Sequence, residues 1–215
     1  MKYFLTLAVI VFVSLSVFSQ GYWQQEVNYK IEVELDDENH FLRGNETFEY
    51  VNNSPDELKF IYVHVWPNAY KNDETALAKQ LYLDGNDLLK FGADSLKGYI
   101  DSLDFTSNGA KLSWAYDEKH IDIVRIELST PLAPNESIEI STPFKVKLPS
   151  GRISRLGHIG QSYQITQWYP KPAVYDKDGW HQMPYLNQGE FYSEFGGYDV
   201  RITLPENYVV GSTGD

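Results

Sequence analysis

The sequence has 215 residues and is acidic, with 30 Asp and Glu against 18 Lys and Arg and a formal net charge of -12. This balance argues against a nucleic-acid-binding protein, because phosphate backbones attract positively charged surfaces. The chain contains no cysteine, which excludes a disulfide framework, a cysteine nucleophile and a lipid-modified cysteine anchor.

The first residues have the pattern of a secretory signal peptide. Lys2 supplies a positive charge, an apolar run extends over residues 4–13, and a small residue, Ser19, closes the segment. A membrane anchor would need about 20 consecutive apolar residues, and Ser14 and Ser16 interrupt the run. We therefore predict cleavage after residue 19 and a protein that is periplasmic, on the cell surface or secreted. No stable membrane span is expected after cleavage, and residues 20–215 are expected to form one domain.

The remaining sequence has mainly the alternation of β-strands. Residues 29–35 alternate apolar and charged side chains, and an acidic turn at residues 36–39 leads into a second strand, which predicts a hairpin. Residues 60–66 are apolar on both faces, which is typical of a central strand, so His64 within them is expected to be a core histidine. Further strands are predicted at residues 99–105, 111–116, 121–128, 137–148, 161–169 and 198–204.

One region, residues 72–89, favours a helix. Asn72 or Asp73 is expected to cap it, and Leu77 and Leu81 mark an apolar stripe. Many short strands separated by turns, with one short helical segment, predict an all-β fold: a sandwich of curved, mostly antiparallel sheets.

No catalytic motif is visible in the sequence. The five histidines stand apart from one another, and neither an H-E-x-x-H pair nor a G-x-S-x-G elbow occurs. A pair of carboxylates for glycoside hydrolysis cannot be selected among 30 acidic residues. We therefore predict no catalytic residue and no metal site in this chain.

Six segments, taken in order, resemble the amino-terminal domain of the aminopeptidase N family of zinc metallopeptidases (gluzincins), and most of all its secreted bacterial branch. The resemblance covers residues 22–215. The segments are YWQQEVNY at 22–29, YVHVWPNAY at 62–70, ITQWYPK at 165–171, YDKDGW at 175–180, and FGGYDVRITLP with YVVGSTG at 195–214.

The resemblance implies a saddle-like β domain that precedes a zinc-containing catalytic domain. The motifs of that catalytic domain are absent here, so the resemblance implies a fragment truncated at its C-terminal end and inactive alone. Its partner would be the missing catalytic domain of the same polypeptide, with which it would line a cleft for a peptide substrate. Zinc would be the cofactor of the parent enzyme, with none bound by this chain.

Two substrate-binding residues follow from the resemblance by position. Members of the family have a Thr-Gln-x-(Glu or Gln) stretch along the cleft, whose last residue helps to hold the free amino group of the substrate. Thr166 and Gln167 match, Trp168 is the spacer, and Tyr169 stands at the amine-binding position. A Tyr hydroxyl carries no charge near neutral pH, so we expect weaker ammonium recognition, and it stays open whether the parent is a true aminopeptidase. The alternative for Gln167 is a polar residue at a strand edge.

Other functions stay open at this point. One is a free-standing exported β-sandwich that binds carbohydrate or protein, and another is a parent enzyme with a degenerate zinc helix. The aromatic segment 170–189 has little periodicity, which is typical of a functional or partner-contacting loop. If the chain is a fragment, we expect it to expose apolar surface.

Overall fold

The computed structural model describes residues 22–214. The predicted signal peptide at residues 1–19 lies outside the described residues. The described part of the chain forms fifteen strands. Their bounds are β1 Glu26–Asp36, β2 Phe41–Val51, β3 Leu58–His64, β4 Tyr99–Asp101, β5 Thr106–Ser107, β6 Ala110–Lys111, β7 Ser113–Tyr116, β8 Ile123–Leu132, β9 Ser137–Lys147, β10 Gly157–Ile159, β11 Ser162–Gln164, β12 Lys171–Pro172, β13 Tyr175–Asp176, β14 Gly179–Trp180 and β15 Tyr198–Thr203.

Two larger sheets carry the architecture. A seven-stranded sheet has the order β15-β1-β2-β9-β5-β6, and β4 also pairs with β9. A four-stranded sheet has the order β12-β3-β8-β7, and β10-β11 and β13-β14 form separate two-stranded sheets. Among these fifteen strands all pairings are antiparallel except that of β15 with β1, which is parallel. The predicted all-β sandwich-like class is confirmed.

The core lies between the buried faces of the two larger sheets. Phe48 and Ile140 from the seven-stranded sheet join Ile61, Val63 and Val124 from the four-stranded sheet in one apolar cluster. The alternation predicted in β1 is present, because its odd-numbered residues from Val27 to Leu35 are buried while the intervening side chains reach solvent. Burial of branched and aromatic side chains on one face is what stabilises such a sheet.

The helical region differs from the prediction in its cap and in its number of helices. It contains α1 (Ala76–Leu83) and α2 (Leu88–Phe91), with single 3₁₀ turns at Trp66–Tyr70 and Asp94–Leu96. The cap of α1 is Thr75, whose hydroxyl accepts the Ala78 amide at 3.2 Å and is itself anchored to the Ala69 carbonyl at 2.7 Å. Thr75 is preferred over Asn72 and Asp73 because this second bond ties the helix start to the core. Within residues 22–214, no helix combines the length and the apolarity that crossing a bilayer requires.

The strand predicted over residues 161–169 is shorter than expected, since β11 ends at Gln164. Gln167 has φ +51°, in the left-handed region that strands do not use, so the backbone cannot continue extended through this residue. Residues 165–170 therefore cross as a loop from β11 to β12. This connection brings Gln167 next to Lys171 of the four-stranded sheet and Tyr169 next to Tyr29 and Tyr198 of the seven-stranded sheet.

Candidate functional site

Gln167 lies in a buried polar group centred on the ammonium of Lys171. Lys171 Nζ donates to Gln167 Oε1 at 2.7 Å and to Ser193 Oγ at 2.8 Å. Lys171 begins β12 and stands opposite His64 of β3, which fixes its side chain over the four-stranded sheet. We call Gln167, Lys171 and Ser193 the lysine group.

The lysine group packs against the aromatic rings of Trp66 and His64. Lys171 Nζ lies 4.5 Å from the centre of the Trp66 ring, which His64 stacks against at 4.3 Å. An ammonium over an indole face is attracted by the ring quadrupole. Burial lowers the pKa of Lys171 to about 8, which leaves it mostly protonated at neutral pH.

His64 is a neutral core histidine, as the sequence predicted. Burial, assisted by the charge of Lys171, lowers the pKa of His64 to about 3. Its Nε2 atom accepts the Met183 amide at 3.2 Å, so the ring proton resides on Nδ1, which has no partner among the described residues. His64 belongs to no cluster of metal-ligating side chains within residues 22–214.

Tyr169 belongs to a different cluster of side chains, which consists of Tyr29, Tyr169 and Tyr198. The hydroxyl of Tyr169 donates to that of Tyr198 at 3.1 Å, and Tyr29 stacks on Tyr198 with ring centres 4.6 Å apart. Burial, followed by the proximity of Tyr198, raises the pKa of Tyr169 above its usual value. Tyr169 is thus neutral at physiological pH, and its hydroxyl proton is engaged by Tyr198. Within residues 22–214, no hydrogen bond joins Gln167 to Tyr169, and the two residues have different partners.

Three members of the site, Lys171, Ser193 and Trp66, were not predicted from the sequence. Lys171 and Ser193 are 22 residues apart in the sequence. Trp66 lies far from both, in the 3₁₀ turn that follows β3. Only the pairing of β12 with β3 brings them together, and no periodicity in the sequence encodes that pairing.

A second polar cluster was also missed, around the β13-β14 hairpin. Asp176 Oδ1 lies 2.7 Å from His181 Nε2, and Asp176 Oδ2 accepts from the Tyr192 hydroxyl at 3.3 Å. Burial opposes ionisation of Asp176, yet its hydrogen bonds with His181 and the Asp178 amide lower its pKa on balance. Burial raises the pKa of nearby Glu194 to about 7, partly offset by the Tyr175 amide. The Asp-Gly turn of the hairpin was the sequence signal that could have placed Asp176 beside His181.

The apolar face of β15 is uncovered. Tyr198, Val200 and Ile202 stand beside Tyr29, Ile31 and Val33 of β1 and point to the same side of the sheet. The three β1 residues are buried, whereas the three β15 residues are exposed, as are the nearby Phe195, Val209 and Val210. The apolar face of the seven-stranded sheet is therefore buried at β1 but exposed to solvent at β15.

Metal ligands do not gather in the described part of the chain. Residues 22–214 contain no group of three or more His, Asp or Glu side chains placed to hold a metal ion. His40 and His158 do meet, with ring centres 3.6 Å apart, but in a stacked arrangement.

The fold is similar to solved structures of M1 zinc metallopeptidases. The M1 zinc metallopeptidase from Deinococcus radiodurans is 13% identical, with a TM-score of 0.43, over 85% of this chain and 33% of its own. A two-domain M1 zinc metallopeptidase variant bound to L-arginine gives the same values. Yeast LTA4 hydrolase in complex with bestatin is 12% identical, with a TM-score of 0.31, over 66% of this chain and 18% of its own.

The chain spans about a third of the length of the first two structures. No protein-family model matches the sequence, and a comparison with curated proteins also finds no match.

Proposed function

We propose that this chain is the non-catalytic amino-terminal β domain of an exported zinc metallopeptidase of the aminopeptidase type. It packs on a catalytic domain of the same polypeptide and forms one wall of the substrate cleft. Peptide hydrolysis is an activity of the whole enzyme and not of this domain.

The uncovered face of β15 is the observation that carries the proposal. Apolar residues on the core side of a sheet are normally buried by another layer, and a contiguous exposed set marks an interface. Tyr198, Val200 and Ile202 extend the row that β1 buries, so the same kind of cover is needed over β15. A following domain of the polypeptide supplies that cover under the proposal.

The cleft role is supported by the backbone at Gln167. A residue other than glycine with φ +51° is strained by about 1 kcal/mol, and such strain collects at binding sites because the surroundings must enforce it. Here the Gln167 side chain is held in place by Lys171, which donates to Gln167 Oε1. The resemblance of residues 165–171 to the cleft-lining stretch of aminopeptidase N proteins supports a position for Gln167 and Tyr169 on the substrate side.

Zinc belongs to the adjoining domain in this proposal. The described residues offer no ligand set of the kind that zinc needs, so this domain does not fit the metal. A catalytic zinc would polarise the peptide carbonyl and activate water there. The present chain contributes binding and the exclusion of water.

The test is the coding sequence that follows the codon for residue 215, together with the activity of its product. We expect an H-E-x-x-H helix with a further Glu ligand downstream, and zinc-dependent peptide hydrolysis by the whole product. A stop codon at that point, with a stable chain of 215 residues, would refute the proposal and favour the free-standing exported binding module.

A further inference from the structure

The orientation of the Gln167 amide is fixed by its partner. An ammonium has three donors and no acceptor, so the Gln167 atom at 2.7 Å from Lys171 Nζ must be the carbonyl oxygen. The Nε2 group therefore points away from Lys171 and donates to no described residue. What Gln167 offers to a ligand is a pair of N–H donors.

Ser193 adds a third donor to the same place. Its Oγ atom accepts from Lys171 at 2.8 Å, so its own proton is free to point elsewhere. Within residues 22–214 that hydroxyl donates to no other group. The lysine group thus presents N–H and O–H donors, and Lys171 already engages one lone pair on each of the group's two acceptor oxygens.

The charge of Lys171 has no counter-charge among the described residues. Lys171 is 5% exposed, yet it forms no salt bridge with any carboxylate of residues 22–214. The titratable group facing it is His64, opposite it on β3, and His64 is neutral above pH 4. The other neighbours, Gln167, Ser193 and the Trp66 ring, are neutral. Buried charges in proteins are normally paired, since an unpaired one loses its hydration without compensation.

These features suit an anion and oppose a cation. A substrate ammonium at this place would meet a second positive charge and would share the group's two acceptor oxygens with Lys171. A carboxylate would accept from Gln167 Nε2 and Ser193 Oγ and would neutralise Lys171 through short, charge-assisted bonds.

We propose that the lysine group recognises a carboxylate carried by a peptide substrate, and not the free ammonium of its amino terminus. This inference rests on the proposed function, because it assumes that the Gln167 side of the domain faces the substrate. It names the substrate class as peptides that place a carboxylate in this part of the cleft, either at the chain terminus or on an acidic side chain.

The experiment follows the Gln167 side-chain amide resonances of the present chain by two-dimensional NMR during titration with four probes. N-acetylglycine carries only a terminal carboxylate, N-acetylglutamic acid α-amide only a side-chain carboxylate, glycinamide only an ammonium, and acetate no peptide group. We expect saturable shifts with at least one of the two peptide carboxylates, and the one that binds more tightly identifies the source. We expect no saturable shift with glycinamide.

Two variants and a matched control sharpen the test. Lys171→Met should weaken carboxylate binding by about tenfold or more, because charge-assisted bonds are lost. The same change at an exposed lysine, Lys111→Met, should alter it by less than about twofold. Gln167→Asn introduces a residue that tolerates positive φ but withdraws the amide by one methylene. Binding by this variant is followed at the Ser193 backbone amide and should be weaker, so it tests the site even if Lys171→Met folds poorly. Binding by the unmodified chain should also weaken as the pH rises past about 8, where Lys171 loses its proton.

Preferential binding of glycinamide would overturn the inference while leaving a cleft role for the domain intact. Binding of acetate without either peptide carboxylate would also overturn it, since the lysine group would then suit a small anion or a carboxylate of the adjoining domain. Absence of binding by all four probes would overturn it as well. None of these results depends on the coding sequence beyond residue 215, which tests the proposed function separately.

Discussion

Val200 of β15 stands directly beside Ile31 of β1 in the parallel register, yet Val200 is 40% exposed and Ile31 is 1% exposed. The two side chains point to the same face of the same sheet. The side chains that bury Ile31 therefore do not extend over the adjacent strand β15. This leaves an exposed apolar surface at the edge of the sheet.

The uncovered face should bind a hydrophobic dye or promote association of the chain. Replacing Val200 and Ile202 by Thr keeps β-branched residues in the strand but removes apolar surface. We expect lower dye fluorescence and less association by light scattering, with the free energy of unfolding changed by less than about 1 kcal/mol. The control replaces Asp199 and Arg201 on the opposite face by Thr and should leave dye binding unchanged. A wild-type chain that is monomeric and dye-negative would count against an interface on β15.

Lys171 should make the free energy of unfolding rise with pH in the alkaline range. Burial holds the pKa of folded Lys171 at about 8, against 10.5 for an unperturbed lysine. Between these values the unfolded chain binds the proton that the folded chain has released, so this group makes the free energy of unfolding rise with pH. The full shift corresponds to about 3 kcal/mol, and the contribution is lost as the pH falls through about 8.

Urea unfolding of wild type and of Lys171→Met at several pH values from about 7 to 10 measures this effect. We expect the variant to be the more stable at pH 7, with its advantage shrinking toward pH 10. Taking the difference between the two proteins removes the contribution of the ionising tyrosines, which both share. Lys111→Met serves as the control and should show a pH-independent difference. A constant difference for Lys171→Met as well would mean that Lys171 titrates near its ordinary value.

Glu46 is a carboxyl in the core without a partner. It is 1% exposed, stands between Ile31 and Thr142 on neighbouring strands, and neither of its carboxylate oxygens bonds to a described residue. Burial raises the pKa of Glu46 well above its ordinary value. A raised pKa means that stability from this group is present below pH 4.5 and is lost as the pH rises through the folded value.

Glu46→Leu should therefore stabilise the domain by roughly 1–3 kcal/mol at pH 7, because it removes an unsatisfied buried polar group. Chemical denaturation at pH 4.5 and at pH 7 tests this, and the gain should be smaller at the lower pH. Glu49→Leu, on the exposed face of the same strand, is the control and should change stability little. A loss of stability on Glu46→Leu at pH 7 would show that the carboxyl is satisfied within the core.

Export can be tested on the first residues of the mature protein. If residues 1–19 are a signal peptide, the chain recovered outside the cytoplasm should begin at Gln20. Mass spectrometry of its amino-terminal peptide measures this, with allowance for cyclisation of the terminal glutamine. Retention of residues 1–19 on a membrane fraction would support the anchor that the interrupted apolar run argues against.

Local pattern was enough to predict the framework of the fold. Strict alternation in β1, and an apolar run in β3, predicted one half-buried and one central strand, because burial on one face or two dictates those patterns. The same reasoning placed His64 in the core. Glu46 broke the pattern of β2, since an acidic residue on the core face looks like a surface residue in the sequence.

The candidate site was predicted less well, because it depends on tertiary pairing. Gln167 was expected in a strand or at a strand edge, but its positive φ ends the extended backbone, and its side-chain oxygen accepts from Lys171. Lys171 meets Ser193 and Trp66 only because β12 docks on β3. No local signal in the sequence gives the position of that short strand, so the uncompensated charge could not be foreseen.

Peptide hydrolysis by the product of the complete reading frame, measured with and without zinc beside the present chain alone, is the most direct test. We predict stoichiometric zinc and zinc-dependent hydrolysis for the complete product, and neither for the chain of 215 residues. Hydrolysis by the chain alone, or a complete product that binds no zinc and cleaves no peptide, would contradict the assignment of this domain to a metallopeptidase.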